Sequence, residues 1–184
     1  PLSEILDTGL FDHEKAEKHP LWYKELNGFA DHKPETETYG ISSFVYVARR
    51  PFHPERLSAF FGEEWPGVIR AKGFFWLATR PDWVGEMAQA GRTVRTSPFG
   101  TWWAAIPRGR WPVNEEWEVF IKKNWHPAFG DRRQQLVFIG TAEMDEAAIR
   151  ARLDACLCGG DANFDPRLYA KLRDPFPLWE REAA

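Results

Sequence analysis

Residues 68–79 read Val-Ile-Arg-Ala-Lys-Gly-Phe-Phe-Trp-Leu-Ala-Thr. Ile69, Ala71, Gly73, Phe75, Leu77 and Thr79 alternate with Arg70, Lys72, Phe74 and Trp76. A period of two places the first set on one side of an extended chain and the second on the other, which predicts a strand over Val68–Thr79. Arg80-Pro81-Asp82 is then a turn, and Val84–Thr96 returns as its partner, with a bulge at Ala90-Gly91.

Outward from this pair the signals continue in both directions. Ile41–Ala48 is β-branched and aromatic, a second strand type signal. Pro54 at a first helical position after His53 predicts a helix to Phe61, with Leu57, Phe60 and Phe61 on one face and Gly62 ending it. Downstream, Asn114 caps a helix to about Asn124 whose Trp117, Phe120, Ile121 and Trp125 form a buried stripe; Glu115 and Glu116 lead it and Lys122 and Lys123 close it, as the helix dipole favours. Gln134–Thr141 is a fourth strand. Asp145 caps a last helix that buries Ile149, Leu153, Cys156 and Leu157 and stops at Gly159-Gly160. The order strand, helix, strand, strand, helix, strand, helix predicts an α+β domain: one mostly antiparallel four-stranded sheet with packed helices.

The predicted domain occupies residues 39–158. Residues 1–38 read as a helical connector, with Ser3 and Asp12 as caps, followed by a polar linker over 28–38; residues 159–184 are a C-terminal tail. The chain has 184 residues, ten Trp and fourteen Phe. Its 24 basic and 27 acidic side chains give a net charge of −3. Collagen, coiled coil and wholesale disorder are excluded by the 43% apolar and 28% charged content. The charge balance does not suit a dedicated duplex-DNA binder. The longest uncharged run, Thr96–Pro107, falls short of the ~18 apolar residues of a membrane span. Cys156 and Cys158 are too close to pair with each other in an ordinary way, so a reducing, cytoplasmic compartment is expected. A first residue of Pro1 suggests a fragment or a processed product.

No GxxxxGK[ST] loop exists, because no Gly is followed by Lys; GxGxxG, HExxH, CxxC and GxSxG are also missing from the sequence. Cys156 and Cys158 are the thiols a Zn²⁺ or Cu(I) site would use, though two ligands rarely suffice and Cys156 lies on a buried stripe. His13, His19 and His32, beside Asp12 and Asp31, complete the candidate metal set; solvated surface imidazoles account for them more simply, since i, i+6 puts His13 and His19 on different helix faces and His32 sits in a linker. Lys72–Leu77 partly matches the strand that stacks bases in RNA-recognition sheets, but Phe75 and Thr79 depart from it and the chain is acidic. Aromatics covered by a helix or by the Trp-rich 97–113 segment explain the same pattern more cheaply. Asp131-Arg132-Arg133 could bind an anion, but a surface ion pair at a strand entrance is the simpler reading.

Four blocks in order carry a resemblance: Tyr-Gly-Ile-Ser-Ser-Phe-Val-Tyr at 39–46, Arg-Arg-Pro-Phe-His-Pro at 49–54, Arg-Ala-Lys-Gly-Phe-Phe-Trp-Leu-Ala-Thr at 70–79, and Gly-Asp-Arg-Arg-Gln-Gln-Leu-Val-Phe-Ile-Gly at 130–140. Together they resemble the C-terminal domain of CobW-type GTPases, also described as zinc-regulated GTPase metalloprotein activators. Leu-Asp-Thr-Gly-Leu-Phe-Asp at 6–12 resembles the connector after that family's GTPase domain, and Asp-Pro-Phe-Pro at 174–177 its tail. The resemblance implies a metallochaperone system whose N-terminal GTPase domain handles GTP, Mg²⁺ and the main metal site, and whose C-terminal domain recognises a client or regulates delivery. It gives Cys156 and Cys158 no role, and of the His-rich loop of many relatives only His32 remains here.

The expected function is therefore a non-catalytic recognition domain, with no cofactor of its own other than a possible zinc. Its expected partners are the family's GTPase domain and a client metalloprotein. The expected partner-binding residues are Lys72, Phe74, Trp76, Trp102 and Trp103, because aromatic and basic side chains are enriched at interface hot spots. Two alternatives stand beside it: a zinc-binding module built on Cys156, Cys158, His13, His19 and His32, and single-stranded RNA binding on the aromatic strand.

Overall fold

The computed structural model describes residues 40–159 and 165–179, all within the unit Gly40–Ala184. Five strands form one antiparallel sheet: β1 (Ile41–Ala48), β2 (Val68–Phe75), β3 (Trp83–Ala90), β4 (Thr93–Thr101) and β5 (Gln134–Thr141), in the order β1-β5-β2-β3-β4. Among the described residues three α-helices accompany them: α1 (Pro54–Phe61), α2 (Glu115–Asn124) and α3 (Glu146–Cys156). The α+β class and the antiparallel sheet agree with the sequence reading. The strand count does not.

The extra strand comes from residues 84–96. A bulge was expected at Ala90-Gly91, but the chain reverses there: Ala90 pairs with Thr93 across a two-residue loop. Gly91 takes φ +58, a backbone conformation that costs glycine least, which is what so tight a reversal requires. The irregularities lie elsewhere, between Val68 and Arg70 and between Val84 and Gly85.

β2 is also shorter than its alternation suggested, ending at Phe75 rather than Thr79. A competing set of partners draws the chain away from the ladder. The Trp76 N–H donates to the Gln134 side-chain oxygen at 2.8 Å, and the Trp76 carbonyl accepts from Phe52 N and Gln134 Nε2, both at 2.9 Å. Leu77 then bridges to Phe52 in parallel. Gln134 is fully buried, and each of its amide atoms is bonded to main chain, including the Arg50 carbonyl at 2.9 Å. Such a side chain welds the ends of three segments together, since a buried amide is tolerated only when its bonds are made.

The main core fills one side of the sheet. Phe44, Tyr46, Ala71, Phe75, Met87, Leu136 and Phe138 face Leu57, Phe60, Ile149, Leu153 and Cys156 of α1 and α3. Stacked rings such as Phe44–Phe138 (centroids 5.0 Å) and Phe60–Trp65 (4.8 Å) thicken this layer. Each large side chain so buried contributes about 1.5–3 kcal/mol. Pro54 starts α1 as expected; His53 stands at the N-cap position but makes no capping bond through its side chain. The Asn114 and Asp145 caps form as predicted, accepting from Trp117 N and Ala148 N. α3 ends at Cys156, before the two glycines, because Leu157 turns into an extended bridge with Phe52. α2 carries no fully buried residue, so the stripe expected to be buried is only half-covered.

Candidate recognition surface

Residues opposite each other in antiparallel strands share a face. On the face turned away from α1 and α3, one row runs Val45, Val137, Lys72, Ala88, Arg95 across all five strands. A second runs Ser43, Ile139, Arg70, Ala90, Thr93, and a third Val47, Gln135, Phe74, Glu86, Ser97. Phe99 is left unpaired where the β3–β4 register shifts, and its ring lies 4.6 Å from that of Phe74. Bulges commonly re-aim a side chain in this way.

The Trp-rich excursion between β4 and β5 covers one end of this face. Trp76, Val84, Trp102 and Phe129 form a second core there, with Phe74 packed at its margin and the Arg132 guanidinium 5.8 Å above Trp76. Asp131, 3% exposed, accepts from Trp103 N at 3.1 Å and Ala104 N at 2.9 Å, holding the turn that places Trp102 and Trp103. Trp103, Trp111, Trp117 and Trp125 continue as a half-buried ring cluster against α2, with Trp103–Trp117 at 4.4 Å and Trp111–Trp125 at 5.3 Å.

The expected partner-binding set therefore divides. Lys72 is exposed and pairs with Glu86 at 3.0 Å; Phe74 and Trp103 are half-buried. Trp76 (0% exposed) and Trp102 (4%) are core residues, a correction to their reading as surface rings. The aromatic alternation in β2 reflects burial under the 102–133 excursion at one end and solvent at the other. Trp76 offers no face on which a base can stack.

Asp131-Arg132-Arg133 is occupied internally. Arg132 donates to the Pro81 carbonyl at 2.6 Å, and Arg133 donates to Gln135 at 2.9 Å and to the Asp131 carbonyl. Burial lowers both guanidinium pKa values from their ordinary position.

Of the metal candidates, His13, His19 and His32 lie outside the described residues. Cys156 and Cys158 are buried free thiols. Burial pushes the Cys156 pKa up to about 11, and that of Cys158 also upward, which favours the protonated form over the thiolate that binds metal. Among the described residues, no group of three or more His, Cys, Asp or Glu is placed to hold a metal ion.

One group that pattern reasoning passed over organises the helix-covered side of the sheet, beside the Arg80-Pro81-Asp82 turn that the Trp-rich excursion also contacts. Arg80, read only as part of a turn, grips the tail. Its Nε and one terminal nitrogen bond Asp174 at 2.8 and 2.9 Å, and its other donors reach the Pro177 and Phe176 carbonyls at 2.7 and 2.9 Å. Thr79 adds a hydroxyl to Asp174, and the guanidinium lies 4.3 Å from the Trp179 ring. Phe176 and Trp179 then close over Phe75 at 5.7 and 6.0 Å. No local spacing signals a contact 94 residues apart.

Residues 41–157 match the model of the cobalamin synthesis protein CobW C-terminal domain. The chain is 48% identical over 164 residues to zinc-regulated GTPase metalloprotein activator 1 of Dictyostelium discoideum, covering 85% of this chain and 33% of that protein. It is 35% identical over 140 residues to a zinc chaperone of Mycobacterium tuberculosis, covering 76% and 35%. The crystal structure of the Zn(II)-bound YjiA GTPase from E. coli aligns with 18% identity and a TM-score of 0.45, over 70% of this chain and 33% of that one. The chain spans about a third of the length of the curated relatives it matches. By the match over 41–157 and these identities, it belongs to the CobW C-terminal domain family.

Proposed function

We propose that this chain is the recognition part of a GTP-dependent zinc metallochaperone, binding a client protein while the rest of such a protein handles GTP. The observation that carries this reading is the 48% identity across 85% of the chain to a protein named as a zinc-regulated GTPase metalloprotein activator, confined to a third of that protein. The site geometry is consistent with a binding role. The sheet face presents aliphatic and basic side chains without an aligned nucleophile and base, and the thiols are buried and held protonated. Zinc is the cargo in this reading rather than a resident of the described fold.

The test replaces the corresponding part of the Dictyostelium relative with this chain and compares the chimera with a version lacking that part. Zinc-dependent activation of a zinc-requiring client and GTP turnover are both measured. The chimera is expected to activate, and the truncated protein to hydrolyse GTP without activating. Equal activation by both would overturn the proposal.

A further inference from the structure

We propose that the uncovered sheet face docks an acidic protein segment and that the cleft beside Phe74 takes one apolar side chain of that segment. This rests on the reading of the chain as a recognition part and gives it a surface and a partner chemistry.

The apolar component is unusual for solvent. Val45 is 45% exposed, Val47 57%, Ile139 37% and Phe99 63%. Val45, Val47 and Ile139 stand on the neighbouring strands β1 and β5, Phe99 stands beside Phe74 nearer the other edge of the same face, and exposed apolar surface of this kind marks an interaction site. The charge component is one-sided. Arg70, Lys72 and Arg95 stand on this face against a single acid, Glu86, which Lys72 already pairs. Arg70 and Arg95 have no ion-pair partner among the described residues. The chain as a whole is at −3, so this cationic stripe is local and complements acids on a partner.

The cleft joins the two components. It encloses about 200 Å³ between Phe74, Phe99, Trp102, Trp103 and Phe120; Arg133 also lines it, as does the buried Asp131, whose carboxylate is taken up by Trp103 N and Ala104 N. An apolar side chain of a docked segment fills the space between the rings.

A second copy of the chain fits poorly, since face-to-face pairing sets Arg70, Lys72 and Arg95 against themselves. Single-stranded RNA fits less well than protein. Val45, Val47, Val137 and Ile139 give a base no ring to stack on, and Trp76 is covered.

The test selects random twelve-residue peptides displayed on phage against the immobilised full chain. Enriched peptides are expected to carry Asp or Glu around a Leu, Phe or Trp. The affinity of a selected peptide should fall at least tenfold in the triple variant Arg70→Glu, Lys72→Glu, Arg95→Glu, and several-fold in Phe99→Ser. Lys171→Glu, outside the sheet, should leave it within twofold. Circular dichroism and thermal unfolding establish that each variant is folded. No enrichment, peptides without acids, or affinity unmoved in the folded triple variant would overturn the proposal. So would oligo(U) RNA binding that the same triple variant abolishes, which would assign the face to nucleic acid instead. The two readings fail separately. If peptide binding is lost but zinc delivery by the chimera persists in the triple variant, the surface stands and client recognition through it falls. If no peptide is selected while delivery still requires the domain, the recognition reading stands and this surface falls.

Discussion

Arg80 makes four bonds to the tail through its guanidinium, two of them to the Asp174 carboxylate, with both side chains largely shielded (12% and 17% exposed). Arg80→Ala leaves that carboxylate half-buried without its cation and frees Phe176 and Trp179 from Phe75. A loss of about 2–3 kcal/mol is expected, seen as a drop of roughly 5–10 °C in thermal unfolding. A shift under 2 °C would mean that the tail is not held by this residue. The thiols make a second prediction at this scale. With its pKa raised to about 11 from 9.0, the neutral form of Cys156 is favoured in the folded state. Its contribution is complete below pH 9 and is lost as pH rises towards 11. Tyr46 acts in the same direction: burial and the bond its hydroxyl donates to Asp154 at 2.7 Å raise its pKa well above that of an ordinary phenol. Urea midpoints should therefore decline above pH 9, less steeply in Cys156→Ala. A Co²⁺ titration of the reduced chain should show no thiolate charge-transfer band; an intense one would promote the metal-module alternative. Residue types alone drew attention to Cys156 and Lys72, whereas Arg80 and Gln134 act through partners remote in sequence, which composition and spacing do not reveal.

Elements whose signals are local were legible. The Asn114 and Asp145 caps, the Pro54 helix start and the β5 limits all depend on neighbours within a few residues, and all appear where the pattern placed them. The β3–β4 reversal was misread because Gly within a strand pattern signals a bulge and a tight turn alike; only the Ala90–Thr93 pairing decides. The end of β2 was missed because Trp76 and Leu77 continue the alternation while Gln134 and Phe52 take over their main-chain bonds. Gly73 sits inside β2 where a Cβ would lie 2.1 Å from the Gln135 carbonyl oxygen. Gly73→Ala must therefore push β2 and β5 apart, and a loss of at least about 2 kcal/mol in urea unfolding is expected. An unchanged midpoint would show that the sheet yields more easily than this packing implies.

At the scale of the whole sheet, and among the described residues, α1 and α3 seal one side and the Trp-rich excursion covers an end of the other, leaving basic and aliphatic rows in solvent. The class of fold and the four sequence blocks of the resemblance were readable from the chain, because core periodicity and motif order are written locally. Which rings face solvent was not, because it depends on where residues 102–133 fold back. The central claim is that this face recognises a partner and performs no chemistry. It is tested most directly by placing the Arg70→Glu, Lys72→Glu, Arg95→Glu variant in the Dictyostelium chimera and measuring GTP turnover beside zinc-dependent client activation. The account predicts turnover within twofold of the parent chimera and client activation reduced at least tenfold. Activation at the parent level in the folded variant would contradict it.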